Sequence, residues 1–278
     1  MLSGKLFVVG TPIGNLRDIT YRAVDTLKEV DFICAEDTRV TVKLLNHYEI
    51  KKPMISYHEH SERQVSDKIM NRILAGESCA VVTDAGMPCI SDPGEDLIRL
   101  CIENNVPVEV VPGPTAMASA AAISGLPTSR FTFEGFLSVT KKQRFSHLES
   151  VSKDTHTLIF YEAPHKLLNT LTDMLEYFGD RRISICHELT KIHEEIIRTT
   201  VSEAVEYYSD KTPKGEFVLI VEGYDPKEKL ADITVEDAVN KAIQLIDSGM
   251  KSVDACKEAA KLTGFKKSEI YSKLQERQ

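Results

Sequence analysis

Short apolar runs alternating with helical patterns set the rhythm of the first half of the chain. Residues 5–9, 31–35, 53–56, 79–82 and 106–111 each read as a strand. The runs at 79–82 and 106–111 are apolar enough to be buried on both faces, as in a parallel sheet covered by helices. Helical periodicity fills the intervals. One helix runs to about Val30, with Asp18 or Thr20 as its cap and Ala23, Val24 and Leu27 on one face. A second covers 64–75 and stops at Gly76. A third covers 94–104, with Asp92 as a side-chain cap and Pro93 at its first position. Thr115 can cap a fourth, built almost wholly from small residues between Ala116 and Ala122.

The pattern changes near Gly125-Leu126-Pro127. Strand-like runs follow at 131–136, 156–161, 182–187, 195–201 and 216–222, with one clear helix at 165–178 and a shorter one near 202–208. Such spacing suggests a mixed sheet. The expected organisation is α/β: an N-terminal α/β domain at 1–118, a second at 119–225, and a linker with a small helical tail at 226–278. The tail patterns lie at 235–247, 252–262 and 267–275, separated by Gly249 and Gly264, with Ser252 as a cap. Three short helices can imitate a helix-turn-helix module. Acids and bases balance in this tail, so no electrostatic footprint supports DNA binding, and a packing or RNA-guiding accessory reads equally well.

Composition narrows the class. The 278 residues are 42% hydrophobic and 27% charged, which fits a soluble globular protein of one large or two ordinary domains. A net charge of -8 argues against a general nucleic-acid coat, though not against a local basic patch. Six cysteines form no CxxC pair, and Cys34, Cys79 and Cys186 sit in apolar runs. They read as buried reduced thiols in a reducing cytoplasm. The apolar start at 6–9 is too short for a signal-peptide core, and no apolar segment reaches membrane-spanning length.

Candidate chemistry collects where the strands end. The loop that follows residues 79–82 keeps Thr83, Asp84, Ala85, Gly86, Met87 and Pro88 beside a sheet end, and it is longer than most strand-to-helix connections. Ligands of open parallel sheets bind at that end. The turn Gly10-Thr11-Pro12-Ile13-Gly14-Asn15-Leu16 lacks the third glycine of a dinucleotide fingerprint and the Gly-Lys-Ser/Thr of a phosphate loop. It reads equally as a tight turn or a ligand loop. Glu36-Asp37-Thr38-Arg39 reads as a cap with a surface ion pair, or as a functional group at the edge shared with Asp84. His58 and His60 lack a third ligand at a metal spacing, so the loop reads as capping or substrate-facing. Lys141-Lys142-Gln143-Arg144 forms a basic stretch between two strands, either solvated or in contact with phosphate.

Seven motifs occur in a fixed order: the Gly10 to Leu16 turn, Ala35-Glu36-Asp37-Thr38-Arg39, the 83–94 loop, Val111-Pro112-Gly113-Pro114-Thr115-Ala116, Tyr161-Glu162-Ala163-Pro164-His165, Glu188-Leu189-Thr190-Lys191 with His193-Glu194-Glu195, and Lys214-Gly215-Glu216-Phe217-Val218. Together they resemble the tetrapyrrole methylase superfamily, the class III S-adenosylmethionine-dependent methyltransferases, over roughly residues 4–223. Within it they are most similar to the branch that acts on the small ribosomal subunit. The resemblance implies two α/β domains with S-adenosylmethionine in the cleft between them, usually in a homodimer. It implies 2′-O-methylation of a cytidine ribose in 16S ribosomal RNA, with no metal and no membrane partner. Ala163 departs from the serine often found there.

By the same resemblance, Pro12, Asp84, Ala85, Gly86, Pro88, Ile90, Ser91, Thr115, Ala116, Tyr161, Gly215 and Glu216 line the donor pocket. A ribose hydroxyl must lose its proton, and Asp37, Glu162 and Glu188 are the candidate acceptors. All three stay open, and Arg39 lies two residues after Asp37. Arg39, Lys141, Lys142, Arg144 and Lys191 are candidates to neutralise RNA phosphates. Two alternatives stay open: a methyltransferase acting on a small tetrapyrrole, and a non-enzymatic RNA-binding module that uses the tail.

Overall fold

Four-residue apolar strands build the first sheet. In the computed structural model, which describes residues 4–58, 63–226 and 234–276, these are β1 (Leu6–Val9), β2 (Phe32–Ala35), β4 (Cys79–Val82) and β5 (Val108–Val111), joined by the three-residue β3 (Met54–Ser56). All pair in parallel, in the order β3-β2-β4-β1-β5. Central β4 is buried at every position because helices cover both faces. Cys79 and Val81 face α3 (Arg63–Leu74) and α4 (Glu95–Glu103), through Ile69, Ile73 and Leu97. Ala80 and Val82 face α1 (Tyr21–Glu29) and α2 (Thr38–His47), through Ala23, Leu27 and Leu45. Each such Leu or Ile contributes about 1.5–3 kcal/mol by leaving water. All six cysteines are free, and five are buried. Cys34 Sγ and Cys79 Sγ, on neighbouring strands, lie 3.3 Å apart.

Two local expectations need correction. The run at 106–111 was expected to be buried, yet β5 is an edge strand and Val110 is 57% exposed. Apolar sequence alone cannot tell a central strand from the last one in the order. Asp92 does not cap α4. That helix starts one residue after Gly94, which takes φ +133° and makes no side-chain cap bond. The Asp92 side chain is used elsewhere, as shown below. Thr20 is the cap of α1, accepting from the Ala23 N–H.

The second sheet is mixed, in the order β6-β7-β10-β8-β9. Its strands are β6 (Phe131–Phe136), β7 (Thr157–Glu162), β8 (Arg182–His187), β9 (Glu195–Thr200) and β10 (Phe217–Val221). β6 and β7 are parallel and the other pairs antiparallel. One face carries α5 (Ala116–Ser124), whose small side chains pack on Ile159, Val218 and Ile220. The other carries α6 (Lys141–Val151), α7 (Leu167–Phe178) and α8 (Val201–Ser209) over Leu158, Phe160, Ile185 and Leu219. The basic stretch at 141–144 is therefore the first turn of a helix, not a loop. Its apolar signal is weak because Leu148 is its one fully buried side chain.

Residues 1–223 form one compact unit and 224–278 another. The second unit holds α9 (Val235–Asp247), α10 (Ser252–Thr263) and α11 (Lys267–Glu276) around Val239, Ala242, Cys256, Ala259, Ile270 and Leu274. Ser252 is the first residue of α10 and Lys251 occupies its cap position, so the expected serine cap is absent. Part of the expected charged linker, 227–233, lies outside the described residues, as do Glu59 and His60. Among the described residues no helix is long and apolar enough to cross a membrane.

Candidate active site

The loops after β1, β4 and β5 meet at one end of the first sheet. Thr11 and Gly86 form an isolated antiparallel bridge, with N–H···O distances of 2.8 and 3.2 Å, and the Thr11 hydroxyl donates to the Thr83 carbonyl. A Cβ on Gly10 would stand 2.7 Å from the Gly113 backbone, so the first and third loops cross where no side chain fits. That crossing is what the glycine turn provides. Ile13 from this turn reaches the cavity, and Pro12 does not.

Three carboxylates gather in one corner. The Thr83 hydroxyl donates to Glu36 Oε2 at 2.5 Å, and the Asp84 N–H donates to the same oxygen at 3.3 Å. Asp84 Oδ1 in turn accepts the Asp37 N–H at 3.1 Å. Asp92 completes the corner from the far end of the same loop after β4. Burial first, then the Glu36 and Asp84 charges, push Asp92 up to about 6, which a hydrogen bond with Thr83 only partly offsets. Burial and Glu36 raise Asp84 as well. Burial first and charge repulsion second thus favour the protonated forms of Asp84 and Asp92, and a cation beside them would relieve that repulsion.

Asp37 has a different task. It caps α2, accepting the Arg39 N–H at 2.8 Å, and its carboxylate takes the Arg39 guanidinium at 3.0 Å (Nε) and 2.6 Å (Nη2). These bonds drive it down to about 2. The Arg39 side chain is otherwise 89% exposed.

The second sheet supplies the facing wall. The Tyr161 hydroxyl accepts the Met117 N–H at 3.1 Å, tying β7 to the first turn of α5. Glu162 is buried, and its carboxylate accepts its neighbour's N–H from Ala163 at 2.8 Å and the Thr170 hydroxyl at 2.5 Å. Lys191 Nζ bridges Glu188 (2.8 Å) and Glu216 (3.0 Å), and Glu188 also accepts the Glu216 N–H at 3.0 Å. Burial raises the Glu188 carboxyl, but the Lys191 and Glu216 bonds outweigh it and hold it below its ordinary value. Backbone strain collects here too. Cys89, Ser91, Glu188 and Thr190 all take positive φ, which in β-branched Thr190 marks a tightly over-determined loop.

Between these walls lies a cavity of about 370 Å³. Asp84, Ala85, Gly86, Ile90, Ser91, Thr115, Ala116, Tyr161, Gly215 and Glu216 line it, and Pro12 and Pro88 stand outside the lining. Of the three candidate proton acceptors, Glu162 alone lines it; Asp37 and Glu188 do not. Sequence reasoning missed Glu36, Thr83, Asp92, Phe136 and Phe217, which also line it. The Asp92-Pro93 pair looked like a helix start, and the acid corner exists only once β2 and β4 are neighbours. Among the basic candidates, Lys141 and Lys142 are exposed. Arg144 is turned inward, onto Asp173 at 2.6 Å and the carbonyls of Ser138 and Val139. Lys191 is held between its two carboxylates.

A family model described as Tetrapyrrole (Corrin/Porphyrin) Methylases matches residues 5–205. The chain belongs to the tetrapyrrole methylase family. Among family members, ribosomal RNA small subunit methyltransferase I of Halalkalibacterium halodurans is 46% identical over 97% of this chain and 94% of its own length. The protein of that name from Thermotoga maritima is 49% identical over 79% of this chain and 99% of its own length. Uroporphyrin-III C-methyl transferase from Thermus thermophilus, solved with S-adenyl homocysteine, superposes with a TM-score of 0.56 over 78% of this chain and 97% of that one, at 18% identity. The tetrapyrrole methylase arrangement of a parallel sheet facing a mixed one is thus kept at low identity.

Proposed function

We propose that the chain is an S-adenosylmethionine-dependent methyltransferase that 2′-O-methylates a cytidine ribose in 16S ribosomal RNA of the small subunit, as a cytoplasmic homodimer. The near full-length likeness to small-subunit ribosomal RNA methyltransferases carries the reading. The cavity supports it. Glu36, Asp84 and Asp92 offer a negative corner to a cationic ligand, while Ala85 and Ala116 leave room for it beside the backbone. Tyr161, Leu189, Phe217 and Val218 give apolar walls that suit a nucleoside. A volume of about 370 Å³ is that of a single small-molecule site. The donor brings an electrophilic methyl on a positively charged sulfur, so the chain must hold, aim and accept a proton.

We assign proton acceptance to Glu162. It lines the cavity, its rotamer is fixed by Thr170 and Ala163, and those two bonds leave acceptor sites free on the carboxylate. Asp37 is too weak a base at about 2 and acts through α2 and Arg39. Glu188 and Lys191 fix the 215–216 segment of the wall, and Pro12 and Pro88 shape the loops behind it. Exposed Arg39, Lys141 and Lys142 meet phosphates. The division into lobes at 1–118 and 119–225, with the tail from 226, belongs to the same proposal.

The test is transfer of labelled methyl from S-adenosylmethionine to purified small subunits and to free 16S RNA, followed by mapping. Label on one cytidine ribose is the expected result. Label on uroporphyrinogen and none on RNA would overturn the reading. Light scattering on the purified chain tests the dimer.

A further inference from the structure

A bulge in β6 aims one aromatic ring at the cavity. Side chains alternate along a regular strand, so residues three apart point to opposite faces. Phe133 and Phe136 break that rule. In the pairing with β7, Phe133 stands opposite Ile159 and Gly135 opposite Phe160, which makes Glu134 an extra residue and resets the alternation. Both rings therefore meet Tyr161 edge-on, at centroid separations of 4.9 and 5.4 Å. Gly135 carries the bulge at φ +64°, and a Cβ there would stand 3.3 Å from Ser91 Oγ on the facing loop. The positive φ calls for glycine.

Phe136 reaches the cavity wall with 54% of its surface exposed. Leu137 behind it is buried, Val139 is 72% exposed, and Lys141 and Lys142 are exposed on the first turn of α6. One short stretch thus presents a ring, an aliphatic side chain and two cations. Single-stranded nucleic acid is held by this mixture, its bases stacked on rings and its phosphates neutralised by lysines.

Resting on the methyltransferase reading above, we propose that Phe136 is the platform on which the acceptor base stacks, which holds the ribose hydroxyl at the cavity. Tyr161 meets the Phe136 ring at an interplanar angle of 61°, and about half of the ring's surface is left to the incoming strand. Stacking tolerates any base, so Phe136 positions the acceptor and does not choose it.

The experiment measures methyl transfer to purified small subunits at saturating donor, and donor affinity by calorimetry, for wild type, Phe136→Leu and Phe136→Trp. Leucine keeps apolar bulk and loses the π face, while tryptophan keeps both. Phe136→Leu should raise KM for the subunits by roughly fivefold to a hundredfold, the cost of one lost stacking contact, with donor affinity changed by less than about twofold. Phe136→Trp should stay near wild type. The half-exposed ring makes a folding failure unexpected, and equal melting temperatures check it. Donor affinity that falls in step with KM would assign the ring to the donor and overturn the proposal, and so would an unchanged KM. A wild type that methylates no RNA overturns the methyltransferase reading and this proposal together. A leucine variant equal to an active wild type overturns this proposal alone.

Discussion

Asp92→Asn removes the acid whose proton affinity the cavity disturbs most among its lining residues. Its carboxyl is pushed from 3.8 up to about 6. At about 1.4 kcal/mol per unit, ionisation costs the ligand-free fold about 3 kcal/mol at face value. Asp92 is only half-buried, so solvent screening reduces this to roughly 1–2 kcal/mol. The sign follows from the direction. The folded state binds this proton more tightly than the unfolded chain, so the associated stability is present below about pH 4 and is lost as pH rises through about 6. A bound cation prefers the ionised form, so donor affinity should rise across the same window. At pH 7 the asparagine variant should melt higher without ligand and bind S-adenosylmethionine roughly tenfold more weakly, the equivalent of about 1.4 kcal/mol. Between pH 5 and 7 both pH dependences should flatten. Glu36 and Asp84 keep part of the negative field, so binding should weaken and not vanish. Calorimetric titrations at pH 5, 6, 7 and 8 provide the measurement, with S-adenosylhomocysteine, which lacks the sulfonium charge, as the control that should lose less. An asparagine variant with unchanged affinity and an unchanged pH profile would refute the electrostatic reasoning.

Glu162→Gln should keep donor affinity and lower the single-turnover rate by roughly a hundredfold or more, whereas Asp37→Asn should cost less than about tenfold in rate. Asp37→Asn should instead lower the melting temperature and flatten the loss of stability between about pH 4 and pH 2, because its depressed carboxyl contributes above that window. Neutralising Lys141 and Lys142 should reduce the salt slope of RNA binding by about two, read by filter binding at several ionic strengths. Arg144→Ala should show its main effect in thermal melting, since the Asp173 pair is mostly enclosed. A chain ending at residue 223 should fold and bind the donor, because the tail unit has its own core; loss of calorimetric binding would show that the core depends on it.

Local pattern was enough for most of the elements. Four-residue apolar runs such as 79–82 can be satisfied only as covered strands, and Gly264 after a helical period can only end a helix, so these were legible in the chain. The two-sheet layout and the family motifs followed from order along the sequence. The tertiary structure decided which apolar run lies at an edge, because Val110 and Val81 look alike until the strands are ordered. It decided that Lys141 begins a helix whose burial rests on Leu148, a signal too thin for periodicity. Above all it decided which charges share a site. Glu36 follows β2 while Asp84 and Asp92 share the loop after β4, and the repulsion between Glu36 and the other two arises only when β2 and β4 are neighbours. Asp37 and Arg39, two apart in sequence and attractive as a catalytic pair, satisfy each other at the start of α2. Side-chain chemistry is written in the sequence, but the direction in which a carboxylate points and the charges it faces are set by contacts between residues far apart along the chain.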